Sequence, residues 1–377
     1  MIVFEALQAK YGDSLLLRYD HKGETRLWLI DGGPPGVFKN TLHPRLEELR
    51  GQDESLRVDL AMVSHIDDDH IAGMTQMTRQ LVTLKDQGKA LPLDFRRFWH
   101  NGFREIVGGG DLSGIRPAAA AASLAAANEN LDEIAKKFGI TSVAGQLVLA
   151  SVGQGVDLLA DIASLEIPLN EPVGSRITAP HSEEFEGAKI TFLGPLKQRL
   201  EALKQAWADA TTAGDVTRLV GLFSDNLDDS VTNLSSISML VEIRNRKILL
   251  TGDARGDDVV DGWKASGRDP TKPFSVDILK MPHHGSDRNL TETFLKLFPA
   301  DHYVISADGK YGNPDLKTLT GMAKVLGNRA YTVHFTNRTP AMKKALDALE
   351  KERRKPGRRF KIRIRDKESS SLDIKLN

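Results

Sequence analysis

The amino-acid sequence predicts a mixed α/β fold, and three observations carry the prediction. Short apolar or alternating runs open the chain as a β-meander, later apolar runs alternate with helix-spaced segments, and one buried-type strand ends directly on a cluster of ionisable residues. Open α/β sheets gather their ligands at such carboxyl ends of strands.

In chain order, Val3 to Gln8, Ser14 to Tyr19 and Arg26 to Ile30 read as strands. The turns Lys10-Tyr11-Gly12-Asp13 and His21-Lys22-Gly23-Glu24 separate them. The third run ends in Asp31-Gly32-Gly33-Pro34-Pro35-Gly36, whose glycines let the backbone pass closely over a neighbour. Leu42, Leu46 and Leu49 have helical spacing, and Val58 to Val63 reads as one buried strand running into Ser64-His65. From about residue 95 to 180 the pattern changes. A turn at Gly108 to Gly110 precedes an Ala-rich helix over Pro117 to Phe138, so the region reads as a largely helical insertion, a cap or lid within a single domain spanning 1–377. A strand at Lys189 to Leu193 and a helix over Leu196 to Ala210 follow. Next come a hairpin of Ile237 to Ile243 with Lys247 to Leu250, and strands Val276 to Met281 and His302 to Ser306 flanking a helix near Thr291 to Phe298. A helix from Pro340 to Arg353 and a last strand pair from Phe360 close the chain.

Composition narrows the chemistry. Apolar residues at 40% and charged residues at 27% describe an ordinary globular chain. No run reaches the roughly 18 apolar residues of a membrane helix, and the first residues lack the basic start and cleavage site of a signal peptide. A cytoplasmic protein with no membrane contact is expected. With no cysteine, disulfides, thiolate metal sites and cysteine nucleophiles are all excluded, so a metal must rest on His, Asp and Glu. Lys plus Arg equals Asp plus Glu at 51 each, which leaves no global electrostatic case for nucleic acid.

The strongest signal is Ser64-His65-Ile66-Asp67-Asp68-Asp69-His70-Ile71-Ala72-Gly73, with five ionisable groups in six positions after an apolar strand. Carboxylates about 4–6 Å apart repel by about 1 kcal/mol in water and by more in a cleft. A divalent cation turns that repulsion into ligation by His nitrogen and Asp oxygen. The plainer reading is a solvated acidic turn with two incidental histidines, and the spacing at a strand end argues against it.

This run resembles the signature loop of the metallo-β-lactamase superfamily, whose usual form is His-x-His-x-Asp-His. The Asp at its second position is similar to the variant in the domain attached to bacterial competence DNA-uptake channels, the ComEC family. Leu249-Leu250-Thr251-Gly252-Asp253 resembles the family's strand ending in Gly-Asp, and Leu279-Lys280-Met281-Pro282-His283-His284-Gly285-Ser286 its His-His-Gly-Ser loop. The likeness covers most of 1–75 and 188–335.

The resemblance implies a four-layer αββα sandwich and a site for two divalent ions, zinc or manganese. His65 and Asp67 would bind one, Asp69 and His70 the second, and Asp253 would lie at or between them. His283 or His284 would complete the cluster or hydrogen-bond substrate. Asp69 and His284 are candidate catalytic groups, His283 a candidate ligand, and Ser286 and Asn313 candidate substrate contacts. Asp68 reads as an intervening carboxylate, and Asp31 could orient a ligand His.

Two departures stand out. The superfamily often supplies another His before the Gly-Asp, whereas here His100 and His181 are the histidines in that interval, and neither stands at a clear strand end in the sequence. Asn233 to Ser238 resembles the Asn/Ser-rich segment found there in the DNA-uptake subfamily. That subfamily also has a late His-Pro, where this chain has Asn313-Pro314.

The expected activity is a metal-dependent phosphodiesterase or nuclease using a metal-activated hydroxide, on DNA or RNA. Competing expectations are a small-molecule hydrolase acting on a cyclic nucleotide or ester, and a non-catalytic metal-binding regulatory module. The dense cations from Lys343 to Arg365 invite phosphate contact, yet Lys361, Arg363 and Arg365 alternate with apolar residues as on any wet strand face. His334 reads as a structural strand residue.

Overall fold

A computed structural model describes residues 1–102, 143–201, 204–205, 233 and 235–377. The Ala-rich helix expected over 117–138 lies outside them, as do 202–203 and 206–210 of the helix expected over Leu196 to Ala210. The chain divides into two compact units. The first comprises Met1–Leu27, Thr178–Leu196 and Ser236–Asn377; the second comprises Trp28–Ile177 and Lys197–Ser235.

The strands of the opening meander form as expected. They are β1 (Ile2–Leu7), β2 (Ser14–His21) and β3 (Glu24–Gly32), the last running from the first unit into the second. In the second unit, helix α1 (His43–Arg50) takes Pro44 in its first turn, where a missing N–H costs nothing. The single strand expected over Val58 to Val63 is instead two, β4 (Leu56–Val58) and β5 (Leu60–Met62). Buried Asp59 interrupts it, held by the Arg57 guanidinium at 2.8 Å. Helix α2 (Asp68–Asp86) follows, then β6 (Leu93–Phe95), β7 (Phe98–Trp99) and helix α3 (Val143–Ser164). β4 pairs with β6, while β3, β5 and β7 pair in parallel. Helix α3 packs along α2, tied by Thr78 to Asp161 at 2.9 Å and Arg79 to Asp157 at 2.7 Å. The parallel strands place Asp31 at the end of β3 and His65 and His100 after the carboxyl ends of β5 and β7.

The first unit is built on an eight-stranded sheet. Its members are β8 (His181–Phe185), β9 (Ala188–Gly194), β10 (Ser238–Ile243), β11 (Arg246–Leu250), β12 (Val276–Lys280), β13 (Ala300–Ile305), β14 (Thr332–Phe335) and β15 (Lys361–Ile364), lying side by side in chain order. β8 to β11 pair antiparallel; β11 to β15 are parallel. Parallel neighbours need crossovers. Helices α4 (Gly256–Ala265), α5 (Glu292–Leu297), α6 (Leu316–Leu326) and α7 (Lys343–Arg353) supply them. Trp263, Phe294, Phe298, Met322 and Leu349 from these helices share one buried cluster with Leu240, Leu249, Tyr303 and Val333 of the sheet. The last two strands do not pair with each other as the sequence suggested. β15 joins β14, whereas β16 (Ser371–Leu376) pairs antiparallel with β1, which pairs with β2. The mixed α/β class is the one found.

Candidate metal centre

In the second unit, β5 ends where Ser64 and His65 begin the ionisable loop, and α2 starts at Asp68. Asp31, at φ 58°, turns its carboxylate across this loop. Its Oδ1 accepts from the Ser64 backbone N–H at 2.7 Å, and its Oδ2 lies 2.8 Å from both Ser64 Oγ and His70 Nδ1. The Ser64 hydroxyl also lies 3.0 Å from His65 Nδ1. The two imidazoles sit with ring centroids 4.2 Å apart, both buried. Their Nε2 atoms face carboxylates: His65 Nε2 is 3.5 Å from Asp67 and His70 Nε2 is 3.9 Å from Asp69. Asp68 accepts from Gln154 of α3 at 2.8 Å.

The first unit assembles its own group at the carboxyl ends of β11 and β12. Asp253 follows β11, and its backbone N–H donates to Ser236 Oγ at 3.2 Å. Pro282 to Gly285 make one tight turn after β12 in which His283 (φ 43°) and His284 (φ 54°) are both left-handed. Such a conformation is uncommon for side chains other than Asn, Asp and His, and is kept where the surroundings dictate it. Here Asn289 Oδ1 lies 3.1 Å from His283 Nδ1, and the Ser306 carbonyl accepts from His284 Nδ1 at 2.8 Å. The other nitrogens face Asp253 Oδ2, His284 Nε2 at 3.4 Å and His283 Nε2 at 3.7 Å.

Two residues to which the motifs gave no role complete this group. Asp13, at the start of β2, is buried, and Lys280 at the end of β12 is a buried lysine paired with one Asp13 oxygen. The Lys280 ammonium also lies 3.7 Å from Asp253 Oδ1 and donates to the Gly252 carbonyl at 3.1 Å. It therefore engages one oxygen of each carboxylate, while the other oxygen of each faces His284. Asp13, Asp253 and His284 offer ligand atoms within 4.8 Å of one another. Burial disfavours a charged His284, but the Asp253 and Asp13 carboxylates overcome it and hold its pKa well above the ordinary value. Lysine among the apolar residues of a predicted strand was the signal available in the sequence; Asp13 looked like an ordinary turn residue.

The remaining candidates fall out as follows. Ser286 is buried beside the turn, with its N–H donating to the His283 carbonyl at 2.9 Å. Asn313 spends its amide on that same carbonyl, at 3.3 Å, so it braces the turn. His181 pairs with Glu183 at 2.7 Å on the edge strand β8. His100 corrects the sequence reading, because it does stand at a strand end, directly after β7. Buried beside Val63, it is held down to about 4 by burial, and its Nε2 has no hydrogen-bond partner among the described residues.

The donor set fits a divalent ion. All four histidines of the two groups have Nδ1 fixed by a hydrogen-bonding neighbour and Nε2 turned to a carboxylate, the arrangement in which imidazole offers Nε2 to a metal.

Comparisons with known proteins add little. No family model and no curated protein matches the chain. Among solved structures, the metallo-β-lactamase fold protein YhfI from Bacillus subtilis aligns with 12% identity and TM-score 0.40, covering 99% of both chains. A protein from Parabacteroides distasonis, provisionally named a metal-dependent hydrolase, aligns with 8% identity and TM-score 0.33 over 95% of this chain and 91% of its own. A Thermotoga maritima protein, provisionally named a zinc-dependent hydrolase of the metallo-β-lactamase superfamily, gives 9% and 0.32 over 96% and 98%. Such loose superpositions leave the functional argument to the residues.

Proposed function

We propose that this chain is a metal-dependent hydrolase that cleaves phosphodiesters. The observation that carries the reading is the common posture of His65, His70, His283 and His284, each tethered through Nδ1 with Nε2 facing Asp67, Asp69 or Asp253. A hydrogen-bond network alone has no need to repeat that posture four times.

In this reading divalent ions, zinc or manganese, are held in the second unit by His65 with Asp67 and His70 with Asp69, and in the first unit by Asp253, Asp13 and His284. Nitrogen and oxygen donors without thiolates suit these metals. When bound, such ions supply Lewis-acid activation of water and of a phosphoryl oxygen. The protein's own residues do the positioning. Asp31 and Ser64 fix the tautomers of His70 and His65, and the Ser306 carbonyl fixes that of His284. Lys280 offsets the charge of Asp13 and leaves its second oxygen for ligation. Asp69 and His284 stand as the groups that touch the reacting atoms.

A second reading keeps the metals and narrows the substrate to a small diester such as a cyclic nucleotide. It is favoured by the ion pairing of α7, where Arg353 and Arg354 meet Glu350 and Lys355 meets Glu352, which removes much of the expected basic surface.

Elemental analysis of the purified protein beside Asp69→Ala, His70→Ala and Asp253→Ala tests the metal assignment. Wild type should carry one to two equivalents and each variant fewer; equal content in all four proteins would end it. A panel of bis-(p-nitrophenyl) phosphate, single-stranded DNA, RNA and cyclic AMP then separates the two substrate readings.

A further inference from the structure

The first unit holds a cavity that shares no residue with the candidate metal groups. It lies among β13, β14, β15 and β16 and encloses about 680 Å³. That is too large for a bare inorganic ion and falls in the range of roughly 300–1,000 Å³ usual for small organic ligands.

Two features of its lining point to the ligand. The first is a histidine pair. His302 Nδ1 and His334 Nε2 are 2.9 Å apart, so one ring donates to the other. His334 is buried, and its Nδ1 has no hydrogen-bond partner among the described residues. Burial holds both rings below the ordinary histidine pKa, His334 down to about 3, so the pair is neutral near pH 7. Two neutral imidazoles sharing one proton present one donor and one acceptor at their outer nitrogens, whichever way the shared bond runs. A pair of phenylalanines would fill this space without leaving a buried nitrogen unsatisfied.

The second feature is charge. Arg363, Arg365 and Lys375 line the cavity, and none forms an ion pair among the described residues. On the preceding segment the opposite holds, since Arg353, Arg354, Lys355 and Arg358 all meet glutamates. The two guanidiniums at the cavity are oriented by backbone carbonyls, Arg363 by that of Asp373 at 3.1 Å and Arg365 by that of Thr336 at 2.8 Å. Carbonyl contacts aim a guanidinium without cancelling its charge. Asp366 and Asp373 also line the cavity and keep their charge, held by the Glu368 N–H and the Ser371 hydroxyl, so three cations face two carboxylates there.

We propose that this cavity binds a small organic oxyanion, a phosphorylated or carboxylated molecule of about nucleotide size. Arg363, Arg365 and Lys375 would take the oxyanion, and the His302–His334 pair would take a polar group on its organic part. Guanidinium forks suit phosphate and carboxylate alike.

The test uses the full chain, stripped of metal by chelation so that the probe does not report on the other site. Calorimetric titrations with AMP, citrate and inorganic phosphate are paired with NMR of the histidine ring nitrogens. AMP or citrate should bind, the His302 and His334 resonances should move, and Arg363→Gln with Lys375→Gln should weaken binding about tenfold or more, as loss of charge-assisted hydrogen bonds does. Arg353→Gln with Arg354→Gln should leave affinity within about twofold, since exposed ion-paired charges contribute little. Tighter binding of AMP than citrate would assign a phosphate ligand, and the reverse a carboxylate. The proposal is overturned if none of the three probes binds, if inorganic phosphate binds as tightly as both organic anions, if the two double variants lose affinity equally, or if the ring resonances stay fixed while binding occurs.

Discussion

An imidazole offers a metal one nitrogen only while its other nitrogen keeps the proton, so the neighbour at Nδ1 decides whether Nε2 can ligate. Asp31 does this for His70, and its second oxygen anchors the Ser64 N–H. Asp31→Asn preserves the shape and tolerates the left-handed φ. Its amide N–H₂, however, would force His70 Nδ1 to accept, moving the ring proton to Nε2. Metal affinity should fall by about 10–100-fold with an unchanged circular dichroism spectrum; a competition titration giving wild-type affinity would refute this role. His100 allows a pH test. Its folded-state pKa of about 4 lies below the ordinary 6.5 because burial disfavours the charged ring. Its contribution to stability is therefore complete above about pH 6.5 and is lost as pH falls from there toward 4, while the unfolded chain takes up a proton that the folded protein refuses. The slope approaches about 1.4 kcal/mol per pH unit at most. Urea unfolding of the chelated protein should show stability falling through that window, and less steeply in His100→Asn. Parallel curves for the two proteins would mean that His100 carries none of it.

At the scale of elements, the ionisable loop is held by the close passage of α2 over the end of β3. A Cβ built on Gly73 would stand 1.9 Å from the Gly32 carbonyl oxygen, and Gly73 N–H donates to the Gly33 carbonyl at 2.9 Å. Only glycine fits there, and the obstacle is backbone that has no rotamer to change. Gly73→Ala should cost upwards of about 3 kcal/mol, beyond usual overpacking, and depress metal content with it; a thermal melt within a degree or two of wild type would contradict this close approach. The glycines after Asp31 signalled such an approach in the sequence, although their partner was not legible. Much of the site was legible because its groups stand next to apolar strands, where a cluster of charge has no packing purpose. The rest depended on pairings distant in sequence. Asp13 reaches Lys280 across 267 positions (280 − 13) of chain, and no local pattern predicts that. His100 follows a two-residue strand, too short to announce itself. The sequence marked a last strand pair from Phe360 but not its true partners, because period two says which face is wet and nothing about which edge is shared. Asp59 split one expected strand in two, since a buried carboxylate has to meet its guanidinium wherever the backbone allows.

For the molecule as a whole, the equal counts of cations and anions make any affinity for nucleic acid a matter of local placement. The cations from Lys343 to Arg365 are not one surface. Arg353 and Arg354 hold the Glu350 carboxyl down to about 2, Lys355 and Arg358 flank Glu352, and Lys343 pairs with Asp347. Lys351 and Lys361 are exposed and form no ion pair among the described residues, and the Arg359 guanidinium meets the Asn328 carbonyl at 2.8 Å. If the substrate is a long nucleic acid, these three are the residues to grip its backbone. Replacing Lys351, Arg359 and Lys361 by glutamine should weaken duplex binding and lower the log–log salt slope by about 0.9 for each phosphate that the protein no longer neutralises. The same change at Arg353, Arg354 and Lys355 should matter much less, because those charges are already neutralised by glutamates that would be freed to repel phosphate only weakly through solvent. Hydrolysis of bis-(p-nitrophenyl) phosphate should be untouched in both variants, since neither reaches the proposed metal ligands. An unchanged salt slope in the first variant would remove nucleic acid from this surface and leave the small diester as substrate. Equal losses on DNA and on the small diester would instead report damage to the fold, which a thermal melt of the same variant would reveal.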